Sequence, residues 1–267
     1  MESMTEINYN MIKIGLISGG VVLFLILELI IPYKENPVSK LRRWLNNLGL
    51  GIMNITVIQI AFASLMLSTS VYVSDKQIGL LNLMLIPGWL KIIDTIILMD
   101  LVMYFWHIMT HRVPLLWRFH RVHHSDLDVD VSTTVRFHIG EVIPQFLVLT
   151  GTVYFIGADP LGVLVFECVF LLSDFFRHSK FRLPSWFENI YWVLFVPPSM
   201  HRIHHSVDIE ERNTNFGTIF SIWDRFSGTL LTGINQNQIW TGVDGHIQEK
   251  KLEIYHLMWM PFLPAVK

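Results

Sequence analysis

Long apolar stretches separated by short basic segments dominate the first two thirds of the chain. Residues 11–31, 48–73 and 80–106 each hold enough consecutive apolar side chains to cross the roughly 30 Å hydrocarbon core of a bilayer as a helix. A fourth stretch, 141–173, is broken by Gly157-Ala158-Asp159-Pro160 into two shorter limbs, which predicts a helical hairpin that enters and returns on one side. The first stretch reads as a retained span, because residues 1–10 carry only acidic charge whereas a signal peptide starts basic. Lys34, Lys40, Arg42 and Arg43 follow it, and Arg112, Arg118, Arg121 and Arg136 follow the third. Basic residues close to span ends mark the cytoplasmic side, so the spans run inward, outward and inward, with both hairpin ends in the cytoplasm. The run 191–196, stopped by Pro197-Pro198, is too short to span. The tail from 248 suits either an interfacial segment or a docked core element.

Composition agrees. Hydrophobic residues make up 52% of the 267 and charged residues 16%, with mean hydropathy +0.44, too apolar for an ordinary soluble domain. A net charge of −2 without a basic stripe argues against nucleic acid as a partner. The single cysteine, Cys168, excludes an intrachain disulfide and reads as a small buried hydrophobe.

Histidine spacing changes the picture most. His107 and His111 form HxxxH, and HxxHH occurs twice, as His120, His123, His124 and as His201, His204, His205. Spacings of three and four set side chains on one helix face, so each cluster can aim several imidazoles at one point. Imidazole is the commonest protein ligand for first-row transition metals, and eight of them exceed what one ion coordinates, which implies two ions. Neither motif carries the Glu of HExxH, which disfavours a zinc protease without excluding a binuclear hydrolase. Asp100 lies two turns before His107 on the same face and is a candidate outer partner for that ligand. Asp94 and Asp100 leave a membrane metal transporter open as well. Glu167 could line a cavity or serve helix packing. His246 and His256 are isolated and stay outside the candidate site.

His-Ile-Met-Thr-His, His-Arg-Val-His-His-Ser125, Arg136-Phe137-His138-Ile139-Gly140-Glu141, Arg177-His178-Ser179, Met200-His201-Arg202-Ile203-His204-His205, Asn215-Phe216-Gly217 and Trp223-Asp224-Arg225 together resemble the fatty acid hydroxylase superfamily, in its bacterial-type sterol desaturase branch. The resemblance is strongest over 95–231 and treats 1–267 as one domain. It implies an all-α integral membrane protein, about four transmembrane helices and a hairpin capped by a cytosolic histidine-rich helical di-metal site. The implied activity is hydroxylation or desaturation of a lipid by dioxygen at two non-haem irons, which zinc can replace on isolation. Electrons would come from a separate electron-transfer protein or reductase, and the setting would be the bacterial inner membrane with the metal site on the cytoplasmic side. The implied ligands are His107, His111, His120, His123, His124, His201, His204, His205 and His178. His138 stands in an RxHPxE-like element with Ile139 where proline is usual, so it is either a ligand or a histidine satisfied by Glu141 or backbone. Glu141 and Asp174 are candidates to hydrogen-bond ligand N–H groups. Lys180 stands where the branch often has Asn.

Overall fold

The computed structural model describes residues 6–34, 38–62, 64–243 and 252–264. They form helices α1 (Glu6–Ile30), α2 (Lys40–Phe62), α3 (Leu65–Asp75), α4 (Leu80–Leu83), α5 (Gly88–Arg112), α6 (Pro114–His124), α7 (Ile139–Ile156), α8 (Pro160–His178), α9 (Ser185–Tyr191), α10 (Pro198–His204), α11 (Ile209–Arg212), α12 (Ile222–Ser227) and α13 (Ile254–Trp259). Among the described residues there is no strand, only isolated bridges such as Phe195 with Phe220. The protein is therefore an all-α membrane protein. Four helices, α1 from Met11, α2, α5 and α7, are long and apolar enough to cross a bilayer, and α1 and α2 present Ile14, Leu29, Ile52 and Ile60 outward. A surface of that kind is unstable in water and normal in lipid.

The spans differ from the sequence expectation at their ends. The stretch 48–73 is two helices. α2 starts at Lys40 because Arg43 and Asn47 are buried in a polar network rather than left in solvent, and a break near Ser64 separates it from α3. The stretch 80–106 is also divided. The short α4 ends at Leu83, and α5 starts after the extended Pro87 and continues through both histidines of HxxxH to Arg112. The expected hairpin is present as α7 and α8, with Gly157 in the left-handed region closing α7 and the Asp159 carboxylate capping α8. α7 is itself of spanning length, about 27 Å for its 18 residues. α8 has 19 residues but carries Glu167, Asp174 and Arg177. The hairpin reaches the far end of the bundle, where Asn82 donates to the Gly157 carbonyl at 3.1 Å. Gly79 packs there so closely that a Cβ on it would lie 2.2 Å from the Gly157 nitrogen.

α1, α5 and α8 run in parallel toward one end of the molecule. Met66, Met99, Met103, Trp106, Leu149, Val153 and Phe166 form the core between α3, α5, α7 and α8. Phe24 of α1 packs on Phe175 and Phe181, at ring separations of 6.2 Å. Glu167 pairs with Lys13 across the α1–α8 seam at 2.7 Å, a packing role. The segments that carry the histidines from His107 to His205 meet at the end to which α1, α5 and α8 run.

Candidate metal centre

Each histidine reaches the site by a simple local device. α5 runs straight through His107 and His111. Pro114 at the first turn of α6 restarts the chain as a helix, which suits proline because that N–H needs no partner there. α6 then carries His120, His123 and His124. His178 is the last residue of α8, and Pro198 starts α10, which carries His201 and His204 and is closed by His205. Nine imidazoles converge, in two groups. His107, His111, His120, His124 and His204 form one, and His123, His178, His201 and His205 the other, with ligand atoms in each group within 4.8 Å of one another.

The two HxxHH boxes divide between the groups in the same way. In each, the i, i+4 pair stays together, and the middle residue, His123 or His204, crosses to the other group. The groups are contiguous, with the His124 and His205 rings stacked at 4.4 Å. Nε2 atoms lie 3.1 Å apart for His111 and His124, 3.2 Å for His120 and His124, 3.0 Å for His178 and His201, and 3.2 Å for His201 and His205. With metal–nitrogen bonds of about 2.0–2.1 Å, such atoms subtend roughly 90–105° at a shared ion.

Protons are placed to leave those nitrogens free. The Nδ1–H groups of His107, His120, His178 and His204 donate to the Phe216 carbonyl (2.8 Å), Glu141 Oε1 (2.7 Å), the Asp174 carbonyl (2.8 Å) and the Thr214 carbonyl (2.8 Å). Each Nε2 then carries a lone pair, and that of His204 is buried with no partner among the described residues. A buried lone pair without a donor costs free energy unless something accepts it, and a metal ion does. Burial, and then repulsion between neighbouring imidazoles, holds His123, His124, His201, His204 and His205 well below the usual histidine range. They are neutral at pH 7, the form that ligates. The donor set thus fits two metal ions.

The outer partners divide. Glu141 holds His120, and Asp174 holds His178 through its carbonyl and, at 3.1 Å, through its carboxylate. Asp100 touches no histidine among the described residues. Its carboxylate accepts from the Ile219 and Phe220 N–H groups at 3.0 and 3.1 Å, from Trp223 Nε1 at 2.8 Å and from the Thr218 hydroxyl. Two turns along a helix place a side chain on the right face at the wrong height, so Asp100 pins the segment after the third box instead. His138 belongs to neither group. It caps α7, its Nδ1 accepting from the Gly140 N–H at 2.9 Å, with Nε2 3.3 Å from the Met258 carbonyl. His256 lies on α13, in neither group, and His246 falls outside the described residues.

Three features were not read from the sequence. The Phe216 and Thr214 carbonyls orient His107 and His204, and backbone acceptors leave no side-chain signature. They are held by a turn in which Asn215 takes a left-handed conformation, tolerable for Asn, and Asp224 accepts from the Phe216 and Gly217 N–H groups at 2.8 Å each. The third is a buried polar network under the second box. Arg43 of α2 binds Asp126 at 2.7 Å and Asp130 at 3.0 Å. Asn47 bridges Asp126 to Ser132, and Arg136 joins Asn47, Ser125 and the Val122 carbonyl. Burial alone would push the Asp126 carboxyl up, but Arg43 and then Arg136 outweigh it and hold it well below the usual range. Neither Asp126 nor Arg43 carries a motif, so nothing local pairs them.

Between the histidines and the bundle core lies a chamber of about 170 Å³, walled by α5, α7 and α8 and reaching His107, His120, His123 and His201. Met103, Val142 and Phe170 make its surface mostly apolar, although Gln145, Asp174 and Arg177 also line it. The Trp106 indole N–H and Glu141 Oε2 are buried in its wall without partners among the described residues.

The family model for fatty acid hydroxylase matches residues 92–229. Among curated proteins, the chain is 27% identical to an ornithine lipid hydroxylase of Rhizobium tropici, over 60% of this chain and 48% of that one. It is 29% identical to the human (Homo sapiens) cholesterol 25-hydroxylase, over 53% and 51%, and 25% identical to the human alkylglycerol monooxygenase, over 77% and 45%. The chain spans about half the length of the curated relatives it matches. No solved structure matches it. The histidine boxes, with the loops that orient them, fall inside the matched segment, and the chain belongs to the fatty acid hydroxylase family.

Proposed function

We propose that this chain is a membrane-bound oxidoreductase that uses dioxygen at two non-haem irons to hydroxylate or desaturate a C–H bond of a lipid. The observation that carries this reading is the pair of contiguous all-imidazole groups opening on an apolar chamber within a membrane bundle. Five and four imidazoles offer more nitrogen donors than the four of a tetrahedral zinc site, which favours an ion of higher coordination number. Iron bound there would supply the oxygen activation and the C–H oxidation. The chain's own residues hold the ligand nitrogens bare, keep the imidazoles neutral, exclude water and present an apolar wall to the substrate. Glu141 and Asp174 both hold candidate ligand histidines, Glu141 through Oε1 on His120 and Asp174 through its carboxylate on His178, an orienting duty. Asp100 is bound to the 218–223 segment, which gives it a structural duty in place of an ion-transport one.

In this reading the whole chain works as one unit. The relatives are named for an ornithine lipid, cholesterol and an alkylglycerol, all lipids. The basic residues near the histidine end support a site that faces the cytoplasm; in this reading the membrane is a bacterial inner membrane and a separate protein delivers the electrons. The test is metal analysis of the purified protein, with mass spectrometry of lipids from cells with and without the gene. Two irons per chain and a lipid changed by one oxygen or two hydrogens are expected, both lost in the His123→Ala, His204→Ala double variant. Lipid oxidation at the wild-type level in that variant, or oxygen-independent turnover, would overturn the reading.

A further inference from the structure

A second opening lies between α1, α2 and α7. It is a groove of about 380 Å³ lined by Ile14, Ile17, Asn54, Ile55, Ile58 and Val142, with Lys13 and Gln59 also in its wall. Ile14 and Ile55 are 60% and 51% exposed on membrane-crossing helices, so the groove faces lipid. Val142 also lines the chamber beside the histidines. It sits on the first turn of α7, next to the Glu141 that holds His120. One side chain thus forms a wall of both spaces.

Asn54 supplies a second, independent observation. Its Nδ2 donates to the Phe137 carbonyl at 2.8 Å, which orients the amide. Its Oδ1 is buried and receives no donor among the described residues, in a side chain only 6% exposed. Inside a bilayer no bulk water satisfies such an acceptor, so its complement is an O–H or N–H carried by whatever fills the groove. Phe137 continues the connection, since its ring lies flat on His123, 4.2 Å between centroids and 8° between planes.

We propose that the groove is the entry and binding subsite for a lipid bearing a hydroxyl or amide N–H donor along its apolar body. The donor bonds Asn54 Oδ1, and an apolar chain passes Val142 into the chamber. The inference rests on the lipid oxidation proposed above and names the substrate class. Chamber size restricts it further. A cavity of about 150 Å³ holds a benzene-sized group, so a chamber of about 170 Å³ has room for a chain segment or a single ring. The reacting carbon is therefore on the part that enters the chamber, and Val142 governs how far that part reaches.

The experiment uses the full chain in phospholipid vesicles with two probes, a long-chain hydroxy ester carrying a terminal diazirine and its O-methyl ether. Photolabelling of chamber residues such as Met103 and Phe170 is mapped by mass spectrometry, and metal content is measured in parallel. The alcohol should label the chamber about tenfold more than the ether, the worth of one buried hydrogen bond. Asn54→Leu should abolish that difference, and Val142→Trp should abolish chamber labelling at unchanged metal content. Equal labelling by alcohol and ether in the wild type, or full chamber labelling in Val142→Trp, overturns the proposal. Labelling requires no turnover. Strong labelling by a protein that oxidises no lipid would therefore reject the activity and leave the subsite standing.

Discussion

The Nδ1–H of His120 donates to Glu141 Oε1 across 2.7 Å, joining the second histidine box to the first turn of α7. That bond fixes the ring's tautomer and its angle to the metal group, a service whose loss costs about 10–100-fold in metal affinity elsewhere. Glu141→Ala should weaken metal retention by that factor in competition with a chelator. Glu141→Gln, which keeps an acceptor oxygen, should lose less.

His138 and His178 flank the α7–α8 hairpin and are both buried, yet only His178 joins a metal group. His178→Ala should lower metal content, chiefly of the ion held with His123, His201 and His205. His138→Gln should leave metal content unchanged and cost about 1 kcal/mol or less of stability, the typical worth of a helix cap. Equal metal loss in both variants would place His138 at the metals after all.

Arg43 is the main counter-charge of a buried pair, with exposures of 5% for Arg43 and 1% for Asp126. Removing one member strands the other, which costs about 3–5 kcal/mol. Arg43→Met should therefore lower Tm in detergent by on the order of 10 °C for a chain of this size. Because Asp126 braces the loop after the second box through Thr133 and Asn47, metal retention should fall with it.

Metal removal should make stability acid-sensitive. His123, His124, His201, His204 and His205 have folded pKa values well below the usual one, whereas unfolded histidine titrates near 6.5. Below about pH 6.5 the unfolded chain binds more protons than the folded one. Stability of the stripped protein is then full above that pH and declines as pH falls, by up to about 1.4 kcal/mol per pH unit for each histidine. Thermal melts between pH 5 and 8 measure this, and a flat profile would contradict the neutral, buried assignment.

Much of this protein was legible in its residues because helix periodicity and apolar length are local properties. The membrane-crossing helices of the first half, the Gly157–Pro160 turn and the aim of each histidine box follow from about 100° of rotation per residue and 1.5 Å of rise, although α7, expected to be too short, is long enough to span. The division of each box was not legible. His120 and His124 are neighbours on any helix, but whether His123 joins them depends on which helix faces α6, and that is set by long-range packing. The same holds for Asp100, whose helical face was right and whose partners, at 218–223, lie more than a hundred residues away. Span ends moved for a related reason. Arg43 and Asn47 look like solvent-facing polar residues until Asp126 and Arg136 are brought against them and make their burial favourable. Sequence spacing determined which side chains could bind metal. Tertiary packing decided which nitrogens meet, which carbonyls hold the protons, and which side chains line the chamber beside them.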